Sequence, residues 1–132
     1  MRTQTAETNT LDGRRGLILA LDKNLSNLEL LRKFLGREGY GVIGVSSIEQ
    51  FKEKILKEPA INLAVVDVSG FDRRVWNCCE KLKMLDIPFI VLSPQQSATI
   101  KQQGINYGAE KIMVKPLILK DFLSAICNFV NN

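Results

Sequence analysis

The sequence contains no histidine. That absence removes Ser-His-Asp and Cys-His catalysis, histidine-ligated zinc and any histidine phosphocarrier role within the chain. Cysteine is scarce: Cys78 and Cys79 are adjacent, Cys127 stands apart, and there is no CxxC. An odd count in that arrangement argues against a disulfide framework and for a reducing compartment. No apolar run approaches the ~20 residues that span a bilayer. Met1–Arg15 is polar and lacks an apolar signal core. It is expected to be a flexible leader, followed by one domain over 16–132, in a cytoplasmic protein with no membrane contact. Positive charge is only mildly in excess, 18 Lys and Arg against 14 Asp and Glu, and it is scattered along the chain. No DNA- or RNA-reading motif accompanies it, so no direct nucleic-acid partner is expected.

What is present is a regular alternation. The chain has 132 residues, 45% hydrophobic and 24% charged, the size and balance of one soluble domain. Leu17–Leu21 is too short for a buried helix and reads as a strand buried on both faces. Asn24 or Ser26 can cap a helix carrying Leu28, Leu31 and Leu35 and ending near Gly39. Tyr40–Val45 is a second strand, and Ser47 with Gln50 three residues on opens a helix burying Ile48, Phe51 and Ile55. Leu63–Val66 forms a third strand ending on Asp67, before a helix from about 72 to 84. The strand Phe89–Leu92, a helix from about 97 to 107, the strand Ile112–Val114 and a helix carrying Phe122, Ile126 and Phe129 complete the series. Five βα units in a row require right-handed crossovers. The fold class is therefore α/β: a five-stranded parallel sheet with helices on both faces, doubly wound and flavodoxin-like.

Open sheets of this kind bind ligands beyond the carboxyl ends of their strands. Four polar residues end strands here: Asp22 the first, Asp67 the third, Ser93 the fourth and Lys115 the fifth. Strand ends are polar wherever loops meet solvent, but two carboxylates, a hydroxyl and an ammonium in register define a candidate site.

These residues carry a resemblance. Ile18-Leu19-Ala20-Leu21-Asp22, Asn62 through Asp67, Ile90-Val91-Leu92-Ser93, Gly108-Ala109 and Val114-Lys115-Pro116 resemble the receiver domain of two-component response regulators, over about 17–130. The resemblance implies a non-enzymatic signalling domain. Asp67 would accept a phosphoryl group from a histidine kinase or phosphotransfer protein, giving an aspartyl phosphate. Lys115 would hold the phosphoryl oxygens as a point charge and Ser93 would hydrogen-bond them. A magnesium ion would be held by Asp22, Asp67 and the backbone of Ser69. The family's Lys-Pro peptide is usually cis, and its fourth and fifth helices commonly form a partner or homodimer face. Output would pass to a downstream protein.

The chain departs from the family at several of these points. The first strand usually ends in two acids; here the pair is Asp22-Lys23. The usual pocket charge of three acids and one lysine becomes two acids, Asp22 and Asp67, against two lysines, Lys23 and Lys115. A lysine about 5 Å from a dication repels it by roughly 7 kcal/mol at a high effective protein dielectric. The figure is a ceiling, because the Lys23 stem can swing the charge outward; the inward alternative pairs it with Asp67 or Asp22. Magnesium binding is expected to be weakened. Val68-Ser69-Gly70-Phe71 replaces the usual Met-Pro loop, and Pro94 follows Ser93 where a small residue is usual. Ile112 occupies the position of the family's switch aromatic, and Gly104 should weaken the fourth helix by about 1 kcal/mol relative to alanine. These departures define the alternative: a pseudo-receiver, an interaction module that depends on neither metal nor phosphorylation.

Other features read as structure. Gly39–Gly44 matches G-x-G-x-x-G, but it follows a helix and lies on a strand, the reverse of a dinucleotide fingerprint. Cys78, Cys79 and Trp76 read as helix packing residues, and Arg73-Arg74 as a solvated helix start.

Overall fold

The computed structural model describes residues 15–130. Strands β1 (Gly16–Leu21), β2 (Tyr40–Val45), β3 (Leu63–Asp67), β4 (Phe89–Ser93) and β5 (Lys111–Val114) alternate with helices. The helices are α1 (Leu25–Arg37), α2 (Ile48–Lys57), α3 (Arg74–Met84), α4 (Ala98–Asn106) and α5 (Leu119–Val130). All strand pairs are parallel, in the order β2-β1-β3-β4-β5. Apart from Arg15, the leader expected over 1–15 lies outside the described residues, as do 131–132.

The alternation of side chains along β1, β3 and β4 divides the interior into two layers. Leu17, Leu19, Leu21, Ala64, Val66, Phe89 and Val91 face α2 and α3, meeting Phe51, Ile55, Val75, Cys79 and Leu82. Ile18, Leu63, Val65, Ile90 and Leu92 face the other way and meet Leu35 of α1 and Phe122, Ala125 and Ile126 of α5. Strands buried on both faces read as unbroken apolar runs, which is why these were visible in the sequence. A parallel sheet wound this way brings every strand's carboxyl end to one edge.

Local chemistry sets the helix starts. Asn24 and Ser47 cap α1 and α2 by accepting from the Asn27 and Gln50 amides, and Ser97 caps α4 through Ile100. The expected capping box at α2 is shifted: the Gln50 side chain accepts from Ser46 N–H, one residue before the cap. Helix α3 begins at Arg74 rather than 72, with the Asp72 carboxylate accepting the Arg74 N–H. Its N-cap, Arg73, supplies no side-chain bond.

Gly104 has a packing role that helix propensity does not show. Helix α4 forms through it, and a Cβ there would lie 2.6 Å from Ile112 Cδ1 and 2.9 Å from Cγ1. The glycine is the price of close contact between α4 and β5, not a defect in an exposed helix.

The two helical cysteines are core residues. Burial pushes the Cys78 thiol up to about 11 and the Cys79 thiol up to about 12, so neither presents a thiolate near neutrality. Titration with an aromatic disulfide reagent at pH 8 should modify at most one thiol of the folded protein, Cys127, and all three in denaturant. Rapid reaction of two thiols in the folded state would contradict this packing.

Candidate functional site

The strand registers build the site in steps. Leu21 pairs with Val66, which sets Asp22 beside Asp67 across β1 and β3. Asp67 pairs with Leu92 and Ser93 with Val114, so Ser93 and Lys115 each follow one step further along the edge. All four strand-end residues reach the same edge.

Asp67 is 2% exposed, a carboxylate carried inward by the apolar run that precedes it. Both its oxygens are held: Oδ1 accepts the Ser69 N–H at 2.9 Å, and Oδ2 accepts from Lys115 Nζ at 2.6 Å. Lys115 follows β5 directly, its N–H bonded to the Ser93 carbonyl, and its peptide to Pro116 is cis. Asp22 Oδ1 accepts the Asn24 N–H at 2.8 Å. Burial pushes the Asp22 carboxyl above its ordinary value and the Asp67 charge adds to this, while the Asn24 bond and Lys115 act the other way. Ser93 is buried, and its hydroxyl donates to the Gln95 carbonyl at 2.5 Å, within its own loop. The Ser69 hydroxyl is buried with no hydrogen-bond partner.

Of the two orientations open to Lys23, the structure takes the outward one. Its Nζ lies 5.4 Å from the centre of the Phe71 ring, and its stem crosses Gly70. Phe71 was not legible as a site residue: it is 48 positions from Lys23, and nothing in local sequence pairs two loops across a sheet edge. Also unforeseen is a groove of about 510 Å³ between α1 and the β5–α5 connection. Its apolar walls include Leu30, Phe34, Leu119 and Phe122, and Asp22, Asp67 and Lys115 close one end.

This architecture and edge define a recognisable class of signalling domain. The heme response regulator HssR of Staphylococcus saprophyticus is 28% identical over 109 residues, covering 82% of this chain and 48% of that protein. The two-component response regulator ORR3 of Oryza sativa is 26% identical over 120 residues, covering 86% of this chain and 88% of that protein. A CheY-like receiver domain structure from Methanospirillum hungatei superposes with a TM-score of 0.80 at 25% identity, covering 88% of this chain and 94% of its own. No family profile matches the chain. The chain has the fold of a receiver domain, and its curated relatives are response regulators. It spans about half the length of HssR and most of ORR3.

The family's magnesium ion can be tested against the residues present. Among the described residues no three acids or cysteines cluster as a metal cage. Magnesium, however, keeps several waters and commonly uses only one or two carboxylates. Asp22 and Asp67 supply two, and a carboxylate oxygen bonded once retains a free lone pair. Burial is the main cause that raises the Asp22 carboxyl, and a cation there would relieve the smaller part that comes from its repulsion with Asp67. The residues fit a weakly held, hydrated ion.

Proposed function

We propose that this domain accepts a phosphoryl group on Asp67 from a histidine kinase or a phosphotransfer protein and signals through protein contacts. The observation that carries the reading is the Asp67–Lys115 pair: a nearly buried carboxylate with an ammonium at 2.6 Å, at the open edge of the sheet. In the transfer, an Asp67 oxygen forms a bond to phosphorus as the bond from phosphorus to the donor's imidazole nitrogen breaks. The electron pair of that bond stays with the departing nitrogen, and a donor ring already protonated on its other nitrogen leaves as neutral imidazole. Lys115 balances the dianionic product, and Ser93 turns its hydroxyl from the Gln95 carbonyl to a phosphoryl oxygen.

Asp22, Asp67 and the Ser69 backbone would hold the magnesium ion. When bound, it supplies charge neutralisation to the transferring group. The donor would enter by the groove between α1 and the β5–α5 connection, whose exposed Leu30 and Leu119 suit an apolar partner surface. Output would use the α4 and α5 face, as a contact with a downstream protein or a second copy. A cytoplasmic location follows from such donors; among the described residues no helix is long and apolar enough to cross a membrane.

Incubation with acetyl phosphate and magnesium, followed by intact mass, tests the reading. A gain of one phosphoryl group is expected in the wild type and none in Asp67→Asn. No gain across a range of magnesium concentrations would replace this reading with the pseudo-receiver, an interaction module without phosphorylation.

A further inference from the structure

The outward position of Lys23 needs a cause. The β1–α1 connection places this lysine next to Asp22, beside two carboxylates that attract it. Two contacts hold it elsewhere. Its ammonium lies 5.4 Å from the Phe71 ring centre, within the range of a cation–π attraction. Its Cδ passes 3.3 Å from where a side chain on Gly70 would begin, so any larger residue there would crowd the crossing. Gly70 has φ +78, a backbone that also favours glycine. Lys23 is an exposed residue, whereas Asp67 in the pocket is buried.

We propose that Phe71 is a positioning residue that keeps Lys23 out of the acidic pocket and so leaves Asp22 and Asp67 open to a divalent cation. With Lys23 outside, the pocket holds two acids and Lys115, a formal charge of −1; with Lys23 inside, the charge is zero. The substitution that removes the family's second acid is thereby compensated two loops away, by an aromatic where the family commonly has proline. The proposal rests on the magnesium reading above and not on phosphoryl transfer itself.

Magnesium titration by calorimetry on the full chain tests it, with Phe71→Leu to remove the ring face and Lys23→Met to remove the charge while keeping the stem. Phe71→Leu should weaken binding roughly ten-fold by freeing the ammonium to enter the pocket. Lys23→Met should bind within about two-fold of wild type, since a charge already outside the pocket is screened. In the Lys23→Met background, Phe71→Leu should have no effect, which a merely structural role for the ring could not produce. The proposal is overturned if Phe71→Leu binds as wild type does, or weakens binding equally with and without Lys23. It is also overturned if Lys23→Met binds far more tightly than wild type, because Lys23 then occupies the pocket. Absence of binding in every variant removes the magnesium reading and this proposal together, while the mass test of Asp67 stands apart. A metal-free readout is the proton resonance of the Lys23 ε-methylene. It should lie upfield of an exposed lysine and return on Phe71→Leu; an unshifted resonance in the wild type overturns the proposal without reference to metal.

Discussion

Lys115→Met is expected to destabilise the domain by about 2–3 kcal/mol, read as a lower urea midpoint at unchanged slope. The cost comes from what is left behind. Asp67 is 2% exposed, and without the ammonium its charge keeps only the Ser69 N–H as a partner. Breaking a fully buried pair typically costs more, about 3–5 kcal/mol. Lys115 retains 28% of its side-chain exposure, which lets water reach part of the pair and lowers the figure. A cycle separates this from lost packing. Adding Asp67→Asn to Lys115→Met removes the stranded charge and should recover more than half of the loss, although the single changes would each be expected to harm the site. If the double variant is as unstable as the sum of the two, the pair does not interact as its geometry requires.

Gly104→Ala is expected to cost up to about 2 kcal/mol, against the usual rule for a helix interior. Alanine gains roughly 1 kcal/mol of helix propensity over glycine. Here its Cβ would be forced to within 3 Å of two Ile112 carbons, and overpacking of this kind costs typically 1–3 kcal/mol on top. Ile112 Cδ1 is the end of a side chain and can turn away, but Cγ1 at 2.9 Å is tied closely to the strand. The decisive measurement is the sign of the change in an Ile112→Ala background. With the contact gone, Gly104→Ala should become stabilising by about 1 kcal/mol. If it stays destabilising there, the glycine is required for a reason other than this contact.

Gly104 also shows where sequence reasoning stops. Helix propensity prices a glycine by its own chain, as an entropic cost, and cannot see that a strand eight positions on will press against it. The strands and their ends were legible because β1, β3 and β4 are buried on both faces, and continuous apolar runs announce that directly. Asp22, Asp67 and Ser93 were legible for the same reason, since each is the first polar residue after such a run, while Lys115 follows the shorter and only partly buried β5. Contacts between loops were not. The sequence leaves Lys23 free to point either way, and only the Phe71 ring, brought close by the β1–β3 pairing, distinguishes the two. The Ser93 hydroxyl is similar: its residue type suits a phosphoryl oxygen, but its present acceptor, the Gln95 carbonyl, depends on how the loop before α4 turns. The shift of Gln50 from Ser47 to Ser46 has the same origin, because a flexible amide chooses among adjacent donors by backbone geometry that no pattern encodes.

Trp76 is the sole tryptophan of the chain, and its ring lies against Tyr107 at 5.7 Å and 14°. It therefore joins α3 to the residue that ends α4, on the side of the sheet where Ile112 of β5 packs against Gly104. Its emission is an optical gauge of that one seam, whereas far-ultraviolet dichroism averages over every helix of the chain, the five among the described residues included. Transitions that coincide by the two signals are what entitle the Lys115 and Gly104 variants to a single free energy of unfolding. A tryptophan transition that ran ahead of dichroism would instead locate the weakest part of the molecule at the α3–α4 seam.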